Sequence, residues 1–247
     1  MFNQTANITI NEKVEVLVLN ESSILLSLTP DYLAKNSQSL VNRNELMRTY
    51  SCSIVDSKPD WLIDCVLSYD TVLIEYDCLS VDHYAVLAYL KNLNIIANKQ
   101  FGKTHKIEVC YELDCEQYAS DMGLVSAHTS LRTSDIVALH TSQLYSVFAI
   151  GFMPNFAYLG EVNDKLSMPR LPNPRLKVPA GAVAIADNQT AIYPSVSPGG
   201  WHILGYAPSF IVKCMSPVFS SGDKVQFKEI SPPTFNQRLD EYSSQKV

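Results

Sequence analysis

No glycine occurs before Gly102, and six of the nine glycines crowd between Gly151 and Gly205. No GxxxxGKS/T loop appears anywhere, so nucleotide binding cannot be argued from this chain itself. Basic residues are also scarce. Nineteen Lys and Arg against twenty-five Asp and Glu give a formal net charge of −6 and a pI near 5.3. Without a Lys/Arg run there is no stripe to meet a phosphate backbone, which excludes nucleic acid as the expected partner. The cysteines (Cys52, Cys65, Cys78, Cys110, Cys115, Cys214) form no CxxC pair, and His128 and His140 stand at spacings from Cys110 and Cys115 that match no zinc pattern. No metal is expected, and free thiols of a reducing compartment are. The opening MFNQTANITINEK has neither a basic start nor an apolar run, and LYSVFAIGFMPNFAYLG (144–160) is interrupted by Pro154 and Asn155 well short of a membrane span. The expectation is a soluble, cytoplasmic protein with no membrane contact. No GxSxG elbow is present and neither Ser195 nor Ser197 has an assigned base, so no catalytic residue can be named.

What is present divides in two. Apolar residues make up 47% of the 247, enough for a folded protein with one large core or two modest ones. Through the first half, strand-like and helix-like stretches alternate. VEVLVLN and SILLSLT read as strands turning at Asn20-Glu21-Ser22, and Thr29 caps a helix opening on Pro30 and expected to run to about Arg48. WLIDCVLSYDTVLIEYD reads as a second strand pair turning at Ser68-Tyr69-Asp70. Ser80 is expected to cap a further helix with Val86, Leu90 and Leu93 on its buried stripe. That ββαββα order predicts an α+β N-terminal domain over 1–97, and polar NKQFGKTH (98–105) a linker before a second domain over 104–247.

In the second half, KIEVCYEL predicts a strand, and helices are expected around 115–122 and from Thr133 to about His140. Eight of the thirteen prolines lie between Pro154 and Pro208, punctuating the short runs AVAIA, TAIYP, WHILG, SFIVK and KVQFKEI. Many short strands between turn residues predict a mainly-β barrel or sandwich. The tail PPTFNQRLDEYSSQKV is expected to form a peripheral helix or to fray.

The densest punctuation is MPRLPNPRLKVPAG (168–181), where four prolines carry Arg170 and Arg175 on a stiff frame that is no helix and a poor strand. With GFMPNFAYLG before it and DNQTAIYP and SPGGWHILG after it, the segment resembles the B-subunit family of bacterial 5-oxoprolinase (PxpB). That family also takes in the subunit-1 region of allophanate hydrolase and the KipI-type inhibitors of sporulation histidine kinases. IEVCYELDC, TSDIVALHTSQLYSVFAIGF and SSGDKVQF follow its pattern in order, so the likeness covers nearly the whole chain. It implies a cyclophilin-like β-barrel as the second domain and a hydrolase subunit, inactive alone, of an ATP-dependent 5-oxoprolinase that opens 5-oxoproline to glutamate. The partners implied are the 5-oxoprolinase A and C subunits or a fused homologue of the latter. ATP serves the complex, and this chain carries no cofactor; it has no biotinyl lysine flanked by methionines.

The alternative the resemblance allows is a KipI-like inhibitor that binds a sensor histidine kinase without chemistry of its own. No cyclophilin active-site pattern is visible to support proline isomerisation. For a ligand with one carboxylate and one lactam, Arg170 and Arg175 suit the carboxylate and Gln189 the amide, while Gly199 and Gly200 permit close backbone approach and Trp201 forms a wall. The structural alternatives are acidic partners for the arginines, core roles for Trp201 and Tyr193, a hairpin turn at Gly199-Gly200 and a satisfied core role for His140. The chain departs from the family pattern at Asn155, Asp187 and Ala191, where glycine is usual, at Ala182 for serine, and at Tyr206-Ala207 for Arg-Thr.

Overall fold

Alternation of apolar and polar residues organises the first of two units, residues 1–101; the second is 102–247. The computed structural model describes residues 7–36, 39–95, 102–113, 116–212 and 218–244. Residues 98–101 of the expected linker (98–105) lie outside them, as do Cys115 and Cys214; Cys52, Cys65, Cys78 and Cys110 are free thiols.

In the first unit β1 (Ile8–Thr9) and β2 (Val14–Asn20) precede β3 (Ser23–Leu28). Then come α1 (Pro30–Lys35), α2 (Leu40–Ser57), β4 (Leu62–Ser68), β5 (Thr71–Tyr76) and α3 (His83–Asn92). The strands lie antiparallel in the order β1-β2-β3-β5-β4. Register places Val16 opposite Leu26 and Leu26 opposite Val72, so one face of the sheet is apolar throughout. Met47, Tyr50 and Ile54 of α2 and Val86, Leu87 and Leu90 of α3 bury against that face. Each such side chain contributes about 1.5–3 kcal/mol through the water it sheds.

The α+β reading of this unit holds, with two corrections. The long helix expected from Pro30 to Arg48 is two helices: Thr29 does cap α1, but Asn36 leaves the helix in extended conformation and its amide bonds Tyr32 O. Ser39 then caps α2 by accepting from Asn42 N–H. The cap of α3 is Asp82, not Ser80: the helix starts at His83, and Asp82 Oδ1 accepts Ala85 N–H at 2.8 Å while the Ser80 hydroxyl donates to Asp77. At the other end of α2, Lys58 sits at φ 45, where a Cβ is unfavourable. Lys58→Gly is therefore expected to raise the unfolding free energy by about 0.5–1 kcal/mol, read as a higher denaturant midpoint at unchanged slope.

The second unit begins with β6 (Thr104–Val109), a 3-10 turn at Glu116–Tyr118, α4 (Met122–Thr129) and α5 (Thr133–Thr141). Next are β7 (Leu144–Ile150), β8 (Ala157–Gly160), β9 (Arg175–Val178), β10 (Ala182–Ala186), β11 (Gln189–Ile192), β12 (Ser197–Gly199) and β13 (His202–Tyr206). α6 (Pro208–Ile211), β14 (Lys224–Glu229) and α7 (Pro232–Ser244) complete it. The expected helix at 115–122 is thus only a 3-10 turn, with α4 starting where it should have ended. SFIVK, whose Lys213 lies outside the described residues, does not begin as a strand: Pro208 stands at the first helical position and Ser209, Phe210 and Ile211 continue α6.

Ladders run β6-β14-β7-β8-β11-β10-β13, with the β6–β14 pair parallel and the rest antiparallel. Cys110, just past β6, exchanges two 2.9 Å backbone hydrogen bonds with Tyr206 at the end of β13, so the circuit of ladders returns to its start. β9 and β12 form a separate two-stranded ribbon. AVAIA is buried on both faces. Val183 and Ile185 join one apolar cluster, while Ala182, Ala184 and Ala186 form a thin floor under Phe156, Tyr193, Trp201 and Tyr206 in another. No described helix is long and apolar enough to cross a membrane.

Candidate functional site

The proline-rich segment is held at three backbone points around Arg170. Met168 and Asp187 exchange N–H···O bonds of 3.1 and 2.6 Å, His202 Nε2–H donates to Pro169 O at 3.0 Å, and Leu171 N–H donates to Gly200 O at 2.7 Å. The Arg170 side chain stays 59% exposed, its guanidinium carbon 5.8 Å from the centroid of the buried Trp201 ring, a cation–π arrangement. Its Nε–H reaches Asp187 Oδ2 at 3.4 Å. Its two terminal nitrogens make no hydrogen bond among the described residues.

Arg175 is differently placed. It opens β9, which is a genuine strand because the prolines flank it rather than interrupt it. Its Nη2 bonds the buried Asp121 carboxylate and its Nη1 reaches Trp201 O at 3.3 Å. Asp121 also accepts Ile203 N–H at 2.7 Å and donates its own N–H to Ile203 O at 2.6 Å. Arg175 therefore ties the ribbon to β13 and the start of α4. Sequence reading missed Asp121, whose place before a helix suggests a cap; its side chain makes no capping bond and serves Arg175 and Ile203 instead.

The remaining candidates separate in the same way. Trp201 is a platform for Arg170 and touches Phe156 and Tyr158 at its edges. Gln189 is buried beside Asp187, and alternation along β11 puts it on the face of Ala191 and Tyr193. Gly200 serves Leu171 through its carbonyl. At Gly199 a Cβ would strike the Tyr193 hydroxyl, so the missing side chain makes room for Tyr193, and burial pushes the Tyr193 pKa up to about 12. So the structure brings Arg170, Trp201 and Gly200 together with Asp187, leaves Gln189 buried in β11 two positions beyond Asp187, ties Arg175 to Asp121 and packs Gly199 against Tyr193. Among the described residues no cluster of three or more His, Cys, Asp or Glu could hold a metal ion.

The departures have structural occupations. Asn155 and Asp187 keep the left-handed backbone that glycine would supply, at φ 64 and φ 53. Asn155 Oδ1 also accepts Phe219 N–H at 3.1 Å, and the Tyr206 hydroxyl donates to Ala119 O at 2.9 Å. Ala182 and Ala191 are fully buried in their strands, and Ala207 N–H bonds Gly181 O. His140 belongs to the core: Thr190 donates its hydroxyl to Ala184 O, accepts His140 Nε2–H at 2.9 Å, and leaves Nδ1 to accept from Tyr111 O–H at 2.8 Å. Burial lowers the His140 pKa from 6.5 to about 3, so the ring is neutral.

Residues 14–215 match the family described as carboxyltransferase domain, subdomain C and D. The chain belongs to that family, and its motifs are those of the group formed by the 5-oxoprolinase B subunit and allophanate hydrolase subunit 1. Among its relatives, the 5-oxoprolinase B subunit of Bacillus subtilis (strain 168) is 32% identical over 139 residues, 55% of this chain and 57% of that one. The protein of the same name from Haemophilus influenzae (strain ATCC 51907 / DSM 11121 / KW20 / Rd) is 36% identical over 129 residues, 51% of this chain and 59% of that one. That from Escherichia coli O157:H7 is 45% identical over 86 residues, 35% of this chain and 39% of that one. The matched stretches thus span between about two fifths and three fifths of these relatives. The crystal structure of TTHA0988 in space group P212121 superposes with a TM-score of 0.69 at 32% identity, over 86% of this chain and 40% of that one. The Kluyveromyces lactis urea carboxylase shares the fold, with a TM-score of 0.72 at 14% identity over 99% of this chain and 24% of that one.

Proposed function

We propose that this chain is a subunit of an ATP-dependent 5-oxoprolinase, without turnover of its own, that presents Arg170 to the substrate carboxylate. The carrying observation is Arg170 itself, pinned by backbone bonds at residues 168, 169 and 171 while its terminal nitrogens stay open above Trp201. Bonds on both sides of Arg170 fix the point from which its side chain departs, so a carboxylate meets the guanidinium at a set place. The names of the Bacillus, Haemophilus and Escherichia relatives support the reading and lend none to the kinase-inhibitor alternative. In this reading the partners are the A and C subunits, ATP is bound by the complex and not here, the setting is the cytoplasm, and the circuit of ladders in the second unit is a cyclophilin-like barrel.

The test is 5-oxoproline-dependent ATP turnover by the proteins that co-purify with the chain, measured with and without it. Omission is expected to abolish turnover, and Arg170→Gln to lower kcat/KM by about ten- to a hundredfold, the value of one or two charge-assisted hydrogen bonds. Undiminished turnover on omission overturns the proposal.

A further inference from the structure

We infer that Asp187 is a specificity residue of the Arg170 site: its carboxylate accepts an N–H from the ligand and so selects carboxylates that carry an N–H donor on the adjacent carbon. This rests on the reading of the site as one for 5-oxoproline. Asp187 stands at φ 53, a conformation that glycine adopts freely and a Cβ disfavours. Its backbone is locked in both directions to Met168, two residues before Arg170, so the carboxylate is held beside the guanidinium. The contact between them is nonetheless slack: 3.4 Å, with both side chains more than half exposed. A pair this long and this wet is weakly bound, so the Asp187 oxygens remain available as acceptors.

Arg170 Nε faces Asp187, which leaves the terminal edge of the guanidinium for a second carboxylate. One patch thus offers a donor edge and, next to it, a carboxylate acceptor. In 5-oxoproline the carboxylate and the lactam nitrogen hang on the same carbon and meet both. A carboxylate without that N–H gains only Arg170 and meets the like charge of Asp187.

The experiment measures direct binding of 5-oxoproline, and of its lactone isostere with ring oxygen in place of N–H, to the full chain. The chain is expected to prefer the lactam by about tenfold or more, because a site built to accept an N–H penalises a ligand that lacks it. Asp187→Gly, which relieves the backbone, should bring that ratio close to one. Arg170→Gln should weaken both ligands and leave the ratio in place, a pattern that a general loss of structure would not give. Equal affinities in the unaltered chain, a ratio indifferent to Asp187→Gly, or tighter binding of both ligands in that variant would each overturn the role of Asp187 while sparing the site. Failure of the unaltered chain to bind either ligand would overturn both.

Discussion

Between pH 7 and pH 3 the folded protein should lose roughly 4–5 kcal/mol of stability through His140 alone, the linkage value of a pKa that burial lowers from 6.5 to about 3. The unfolded chain takes up a proton near the ordinary 6.5, whereas the buried ring, stacked on Phe227 and bonded to Tyr111 and Thr190, refuses one until about 3. The contribution is therefore complete above pH 6.5, shrinks as the pH falls, and is gone near pH 3. Urea midpoints taken stepwise over that range measure the slope. His140→Gln, which cannot be protonated, should be less stable at neutral pH and visibly flatter toward acid, with the carboxylates common to both proteins cancelling in the comparison. Identical slopes would show that the ring does not carry the acid sensitivity.

Asp121→Ala is expected to cost about 3–4 kcal/mol, near the low end for breaking a buried ion pair because Arg175 keeps a 32% exposed side chain. Two groups are stranded at once, the Arg175 guanidinium and the buried Ile203 N–H. Asp121→Asn retains an acceptor for that amide and should recover part of the loss. Removing Arg175 together with Asp121 should cost less than the two single losses added, since the stranded charge disappears with its partner. A loss under about 1 kcal/mol for Asp121→Ala, measured by equilibrium unfolding, would show that the pair does not staple the ribbon.

These two residues also show what could be read before the fold was known. Local signals were sound: Thr29-Pro30 starts a helix, and the alternating valines and leucines of β2 and β3 set both strands and their buried face. Where two local signals competed, the choice failed. Ser80 and Asp82 are both good caps, and only the start of the helix at His83, with Asp82 accepting Ala85 N–H, decides between them. An apolar run such as SFIVK satisfies strand and helix alike until Pro208 settles it. At the site, Arg170 and Arg175 looked equivalent because each follows a proline, yet Asp121 lies fifty-four positions before Arg175 and nothing nearby announces their pairing. Asp187 stands out in the sequence as a departure from the family pattern, but its nearness to Arg170 depends on the Met168 bridge, which no periodicity encodes.

The circuit of ladders bears on how the chain is made. β6 needs β14 along one side, a partner 120 positions later at Lys224↔Thr104, and its continuation at Cys110 needs Tyr206 on the other. Nascent chain leaving the ribosome must carry the 104–110 segment without Tyr206 until most of the second unit has emerged, and without β14 for longer still. Strands 104–109 and 224–229 therefore meet only after everything between them has emerged, and the exposed edge of the first is the place where a chaperone would be required longest.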